Sequence, residues 1–274
     1  MSVLVQISDP HFGTERPLVV EALVRLVRRQ TPELVVLSGD ITQRARRRQF
    51  RAAREFIDRL GAPALLAIPG NHDLPLFNAA SRLFKPYANF RREFGTELEP
   101  VYESERLLAI ALNTTRRWRH ANGEVSKAQV ERVARRLARA TPAQLRVVIV
   151  HQPVCVTQPE DEVNRLRGHA AAVRRWAEAG ADLVMGGHIH LPYVLALHEA
   201  YAGLPRHTWA VQAGTAVSRR LRNGIDNSIN VVRIGDAPRG RACTVERWDY
   251  VADRGEFAAV AIDRLRFDAG ADGR

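Results

Sequence analysis

Five short polar motifs each stand at the exit of an apolar run: Asp9-Pro10-His11, Gly39-Asp40, Gly70-Asn71-His72-Asp73, His151 and Gly187-His188-Ile189-His190. Asp9 and His11 are two residues apart, so extended backbone would project both on one side. A carboxylate beside an imidazole suits a divalent transition metal such as manganese, iron or zinc. His188 and His190 repeat that spacing, and the preceding glycines permit close backbone approach. Asn71, His72 and Asp73 set a neutral amide oxygen, an imidazole and a carboxylate side by side after a Pro-Gly turn. Of the nine histidines, five fall in these motifs, whereas His120, His169, His198 and His207 read as surface or capping residues. Asp9, His11, Asp40, Asn71, His151, His188 and His190 are too many ligands for one ion. They suit two divalent ions sharing a carboxylate, and Asp40 is placed to bridge.

These motifs need strands to position them. Residues 3–7, 34–37, 64–68, 107–112, 147–150 and 182–185 are short apolar runs that end in polar exits, the pattern of buried strands. A helix opening at Pro17 separates the first two, so they form a parallel βαβ unit whose C-terminal edges bring Asp40 near Asp9 and His11. A second helix is expected over residues 43–60, with Arg44, Arg47, Arg48, Arg51 and Arg54 along one face. Most of that face reads as solvated; Arg44, nearest the site, is a candidate for a substrate's anionic group. Residues 74–95 are aromatic and basic, with Phe77, Phe84, Tyr87, Phe90 and Phe94, and Pro86 forbids one long helix. They read as an insertion packed beside the site, with substrate contact as the alternative. Further helices are expected over 126–137, capped by Ser126, and 168–178. Strands over 207–212, 229–234 and 244–250 would make a second β-rich half, and residues 268–274 a frayed, disordered tail.

At 274 residues and 46% hydrophobic content the chain can bury one large core, so a single domain over 1–267 is expected. No run of 18 apolar residues occurs and the first residues lack a signal peptide's pattern, which leads us to expect a cytoplasmic protein. Cys155 and Cys243 are far apart in sequence and read as free buried thiols. The net charge of +11 suits phosphate-bearing partners: a small-molecule substrate, an anionic lipid headgroup at the inner membrane surface, or nucleic acid. Only Lys85 and Lys127 among the 41 basic residues are lysines, a skew of coding bias more than of selected guanidinium chemistry. The oligomeric state is not legible.

Taken in order, the five motifs resemble the calcineurin-like metallophosphoesterase superfamily. That resemblance implies an α/β fold, a four-layer α-β-β-α sandwich of two mixed sheets flanked by helices, with a dinuclear site at the strand C-terminal ends. It implies that Asp9, His11, Asp40 and His190 hold one metal and Asp40, Asn71, His151 and His188 the other. It leaves His72 facing substrate as a catalytic group, oriented by Asp73 or by a backbone carbonyl, with Arg44, Asn113 and Arg219 as substrate-binding candidates. The intact Gly-Asn-His-Asp and residues 213–220 look like the bacterial cyclic-nucleotide and glycerophosphodiester phosphodiesterase branch. A UDP-diacylglucosamine pyrophosphohydrolase is the alternative, although its usual pattern has Arg where His72 stands. An Mre11-like nuclease fits the charge but lacks an evident capping or dimerisation domain. A scaffold without working metals would be expected to lack ligands, and none is missing here.

Overall fold

The computed structural model describes residues 2–76, 78–237 and 240–267, so Phe77 and the expected tail over 268–274 lie outside the described residues. In chain order the elements are β1 (Ser2–Ile7), α1 (Pro17–Gln30), β2 (Leu34–Ser38), α2 (Arg47–Leu60), β3 (Leu65–Ile68), α3 (Ala79–Phe84), α4 (Ala88–Phe94), β4 (Val101–Glu103), β5 (Leu107–Ala111), α5 (Lys127–Leu137) and β6 (Leu145–Ile149). There follow α6 (His169–Glu178), β7 (Leu183–Gly186), β8 (Tyr193–Ala196), α7 (Leu197–Ala200), β9 (Trp209–Gln212), β10 (Ser228–Ala237), β11 (Gly240–Val251) and β12 (Glu256–Leu265).

Two mixed sheets result, ordered β12-β11-β10-β1-β2-β3 and β4-β5-β6-β7-β9-β8. The inner strands β1, β2, β5, β6 and β7 are buried on both faces because each sheet is covered twice there. Val3, Val5 and Ile7 of β1 pack outward against α1 and α2, through Leu23, Leu26, Phe50 and Phe56. Leu4 points the other way, into a core shared with Val36, Ile68, Ala109, Val147 and Met185 of both sheets. Outside the second sheet, Leu108, Ile110, Val148 and Val184 meet α5 and α6 at Val133, Val173 and Trp176. Period-two alternation therefore produces helix, sheet, sheet and helix layers.

The distal strands do not form a separate half. β10 lies antiparallel beside β1 and carries β11 and β12 outward, whereas β9 runs parallel to β7 in the other sheet. The expected helix over 43–60 begins four residues later, at Arg47. Ala45 takes a left-handed φ of 52°, and the Gln49 side chain accepts from the amides of Arg44 and Arg46, so residues 43–46 are a capping loop. Ser126 caps α5 as expected, its hydroxyl accepting from Gln129 N at 3.2 Å. Pro86 separates α3 from α4. Both cysteines are free and buried, and among the described residues no helix is long and apolar enough to cross a membrane.

β1, β2 and β3 run parallel in one sheet and β5, β6 and β7 in the other. The two sets of C-terminal ends are tied together across the sandwich. Gln6 Nε2 donates to Gly186 O at 2.9 Å, and His151 Nδ1 lies 2.9 Å from Ser38 O.

Candidate metal centre

Above those ends the chain turns sharply. Asp9, His11, Asp40, His188 and His190 have φ between 44° and 74°, five of the eight non-glycine residues with positive φ among those described. Such backbone is unfavourable for residues with a Cβ and concentrates at functional sites. Here it bends each strand exit so that its side chain points back over the sheet.

Three groups of ligand atoms converge there: Asp9, His11 and His190; His11, Asp40 and His72; and Asp40, His151 and His188. Asp40 belongs to two of them. Its Oδ1 lies 3.3 Å from His151 Nε2 and accepts from His72 N at 2.8 Å, and its Oδ2 lies 3.7 Å from His11 Nε2. Asp9 Oδ1 lies 3.3 Å from His190 Nε2 and 3.7 Å from His11 Nε2. Asn71 Oδ1 comes within 3.3 Å of His151 Nε2.

The surroundings orient these ligands as metal sites require. His151 Nδ1 donates to Ser38 O and His190 Nδ1 to Arg220 O, the latter at 2.7 Å, so both Nε2 atoms face inward. Asp9 Oδ2 is occupied by Ser8 Oγ and His188 N. By contrast Asp9 Oδ1 and His188 Nδ1 are buried with no hydrogen-bond partner. Buried polar atoms are rarely left so. A carboxylate oxygen and an imidazole nitrogen aimed into one histidine-rich cluster fit divalent cations.

Charge in the metal-free cluster is already sorted. Burial opposes ionisation of Asp9, yet the adjacent His190 ring, with the charge of His151, holds the carboxyl below the usual range. Burial opposes ionisation of Asp40 as well, but the charge and hydrogen bond of His151 prevail and lower it. Desolvation lowers His11, and takes His188 down to about 4. For His151 desolvation is outweighed by Asp40, which lifts the ring to about 9. Its folded pKa exceeds the unfolded one, so its contribution to metal-free stability is complete below about pH 6.5 and lost as pH rises through about 9. Coordination needs the neutral ring, so if His151 is a ligand, metal uptake would expel this proton. Calorimetry in buffers of different ionisation enthalpy should show about one proton released near pH 8 and none above about pH 10.

Asp73 is a brace. Its oxygens accept from Ile41 N, Thr42 N, Thr42 Oγ1 and Gly70 N at 2.8–2.9 Å. Burial, with Asp40 nearby, pushes its carboxyl up to about 7. The orientation of His72 comes instead from a carbonyl, Gln43 O, 3.0 Å from His72 Nδ1. His72 Nε2 faces the cavity, 3.0 Å from Arg220 Nη1.

That cavity, about 540 Å³, is lined by Asp40, Asn71, His72, His188, His190 and Arg220, and also by His120, Asn164 and Arg222. The three substrate-binding candidates lie elsewhere. Arg44 is exposed on the α2 capping loop and lines a separate cavity. Asn113 Oδ1 accepts from Thr115 N and Oγ1, closing its own turn. Arg219 is exposed, its amide tied to Thr14 O, while its equally exposed neighbour Arg220 lines the cavity beside His72. His120, read as a surface residue, is exposed, and it stands at the cavity wall. Arg222 donates to Asp161 Oδ1 and Ile189 O and pins the 158–161 segment beside it. No spacing in the sequence marks these positions.

A Cβ on Gly187 would overlap Ser8 Oγ and Asp9 Oδ2, the pair that holds Asp9 in place. We expect Gly187→Ala to destabilise the fold by about 1–3 kcal/mol and to loosen metal retention, as read by thermal unfolding with elemental analysis.

Comparison with known proteins agrees with this geometry. The family model for calcineurin-like phosphoesterase matches residues 2–192. A probable cyclic nucleotide phosphodiesterase from a Synechococcus strain is 26% identical over 203 residues, covering 70% of this chain and 74% of that protein. Among solved structures, a dimetal phosphatase from Danio rerio superposes with a TM-score of 0.65 at 15% identity, covering 94% of this chain and 98% of its own. A purple acid phosphatase from yellow lupin (Lupinus luteus) gives 0.64 at 11% identity, covering 94% of this chain and 52% of its own. A Vps29 variant from Entamoeba histolytica gives 0.51 at 11%, covering 96% and 99%.

Proposed function

The chain belongs to the calcineurin-like phosphoesterase family, and from that premise we propose that it is a metal-dependent phosphodiesterase acting on a diester of cyclic-nucleotide or glycerophosphodiester type. The observation that carries the reading is the convergence of two ligand groups on Asp40, with Asp9 Oδ1 and His188 Nδ1 left unpartnered. In this reading Asp9, His11, Asp40 and His190 hold one divalent ion, and Asp40, Asn71, His151 and His188 the other, with manganese, iron and zinc as candidates. Two such ions supply Lewis-acid charge for a phosphoryl oxygen and an activated water.

The chain's own groups account for the rest. Arg220 and His72 stand together at the cavity wall, where Arg220 can donate to phosphoryl oxygens as negative charge develops, and His72 can do so in its imidazolium form. His72, pinned through Nδ1 to Gln43 O, presents Nε2 to the leaving oxygen. Its ring also comes within ligand distance of Asp40 and His11; its place beside Arg220, in the cavity lining, favours the substrate role. The diester preference draws on the Synechococcus relative. A lipid-linked pyrophosphate is the second reading, favoured by the basic aromatic segment near the cleft, and it would place the protein at the inner membrane surface.

The test is hydrolysis by the manganese-loaded protein of bis-p-nitrophenyl phosphate, p-nitrophenyl phosphate, cyclic AMP and a UDP-linked lipid pyrophosphate. Faster turnover of the diesters is expected. Activity confined to the monoester or to the lipid pyrophosphate would overturn the diester reading.

A further inference from the structure

Helix α3 buries none of its side chains. It is held to the loop after Asn113 through main-chain oxygens: Arg82 Nε donates to Arg117 O and Arg117 Nη1 to Leu83 O, both at 2.8 Å. This pairing raises a ridge on which Phe84 is 76% and Trp118 68% exposed. They are the two exposed aromatic side chains among the described Phe, Trp and Tyr residues, and Leu83 beside them is half exposed.

Two cavities of about 470 and 580 Å³ flank the ridge and meet at Lys85 and Pro86. Arg44, Arg46, Arg47 and Lys85 line the first; Lys85, Arg91, Arg116 and Arg117 line the second. The second has no acidic residue in its lining. The first has Asp73 alone, whose oxygens are taken up by Gly70, Ile41 and Thr42. Some arginines elsewhere are matched, as in Arg54 with Asp58, Arg59 with Glu21, Arg132 with Glu99 and Arg175 with Glu131, and on this face Arg116 reaches Glu124. Lys85, Arg46, Arg47 and Arg91 have no ion pair among the described residues.

Unneutralised cations around protruding aromatic rings cost free energy in two ways, and one kind of partner relieves both. It must present negative charge at its surface and hydrocarbon just beneath. We propose that this face docks on an anionic membrane, with Phe84 and Trp118 entering the headgroup boundary and lipid phosphates seated in the two cavities. A second copy of this chain would set the same cations against each other. The loop that carries Trp118 also carries His120 into the wall of the metal cavity, so docking would bring the cleft close to the headgroups. The surface stands independently of the diester reading.

The experiment is co-sedimentation of the metal-loaded protein with vesicles of phosphatidylcholine alone or mixed with phosphatidylglycerol. Binding is expected to the mixed vesicles only and to weaken with salt. Phe84→Ser with Trp118→Ser, and separately Arg46→Glu with Lys85→Glu, should each lower partitioning about tenfold. Hydrolysis of bis-p-nitrophenyl phosphate in solution should be unchanged in the aromatic variant. Arg174→Glu, an exposed position on α6, should keep binding. No binding to anionic vesicles would overturn the proposal, as would equal binding to neutral ones or an equal loss in Arg174→Glu. Binding to soluble polyglutamate as tight as to vesicles, unaffected by the aromatic changes, would assign the face to an acidic protein instead.

Discussion

Asp40→Asn is expected to abolish turnover and strip metal from the protein in the same step. Asp40 belongs to two of the three ligand groups, so no other side chain substitutes for it in both. An amide has nearly the carboxylate's shape and can still accept from His72 N, so the backbone around residue 72 should survive. What disappears is the negative charge. Without it His151 loses the interaction that raises its ring to about 9, and His11 loses the largest influence favouring its protonated form. The residues proposed to hold two ions would then lose the one carboxylate that belongs to both ligand sets. Metal affinity should drop by more than the about 10–100-fold typical of changes outside the coordination shell. Elemental analysis after gel filtration should fall from two metals per chain to one or none, with hydrolysis of bis-p-nitrophenyl phosphate lost in parallel. Two retained metals with full turnover would exclude a shared carboxylate.

The sequence made these converging residues visible because each follows a strand, and strands buried on both faces leave unbroken apolar runs that end abruptly. Asp9, Asp40, Asn71, His151 and His188 each stand just beyond such a run, and parallel pairing puts all those ends on one edge. The layer order came from the family resemblance and not from these runs, which on their own suggested a separate distal half. Residues that reach the cavity from loops were not, since a loop has no period to read. Arg220 and Arg222 lie in a stretch with no regular spacing, and His120 in one that resembles solvent-exposed chain. Arg44 illustrates a different failure. Its place ahead of a basic helix suggested reach toward the site, but the Gln49 side chain captures the amides of Arg44 and Arg46 and turns the segment outward. As a result Gln43, which carries no charge and drew no attention, contacts His72 through its carbonyl and lies 3.4 Å from Arg220 through its Oε1. Nor could the partner of β1 on its far side be read: Val5 pairs with Val231, a contact across most of the chain that no local pattern encodes.

His72→Ala should separate what Asp40→Asn removes together. Two metals per chain are expected to remain, because Asp9, His11, Asp40, Asn71, His151, His188 and His190 are untouched and the tether of residue 72 to Asp40 is made by its backbone amide, which alanine keeps. Turnover should fall by about 10²–10⁴-fold, the range for a lost proton donor at a reacting oxygen. The loss should depend on the leaving group. An alkoxide needs a proton as it departs, whereas p-nitrophenolate departs unassisted, so a cyclic nucleotide or glyceryl diester should suffer far more than bis-p-nitrophenyl phosphate. Arg220→Ala offers the contrast. Its guanidinium stands against the same Nε2 but can only stabilise charge, so its loss, about 10²–10³-fold, should fall on both kinds of diester alike. A leaving-group dependence in Arg220→Ala and none in His72→Ala would exchange the two roles. Loss of one metal in His72→Ala would move the imidazole into the coordination sphere, where its distance to Asp40 and His11 already allows it to stand.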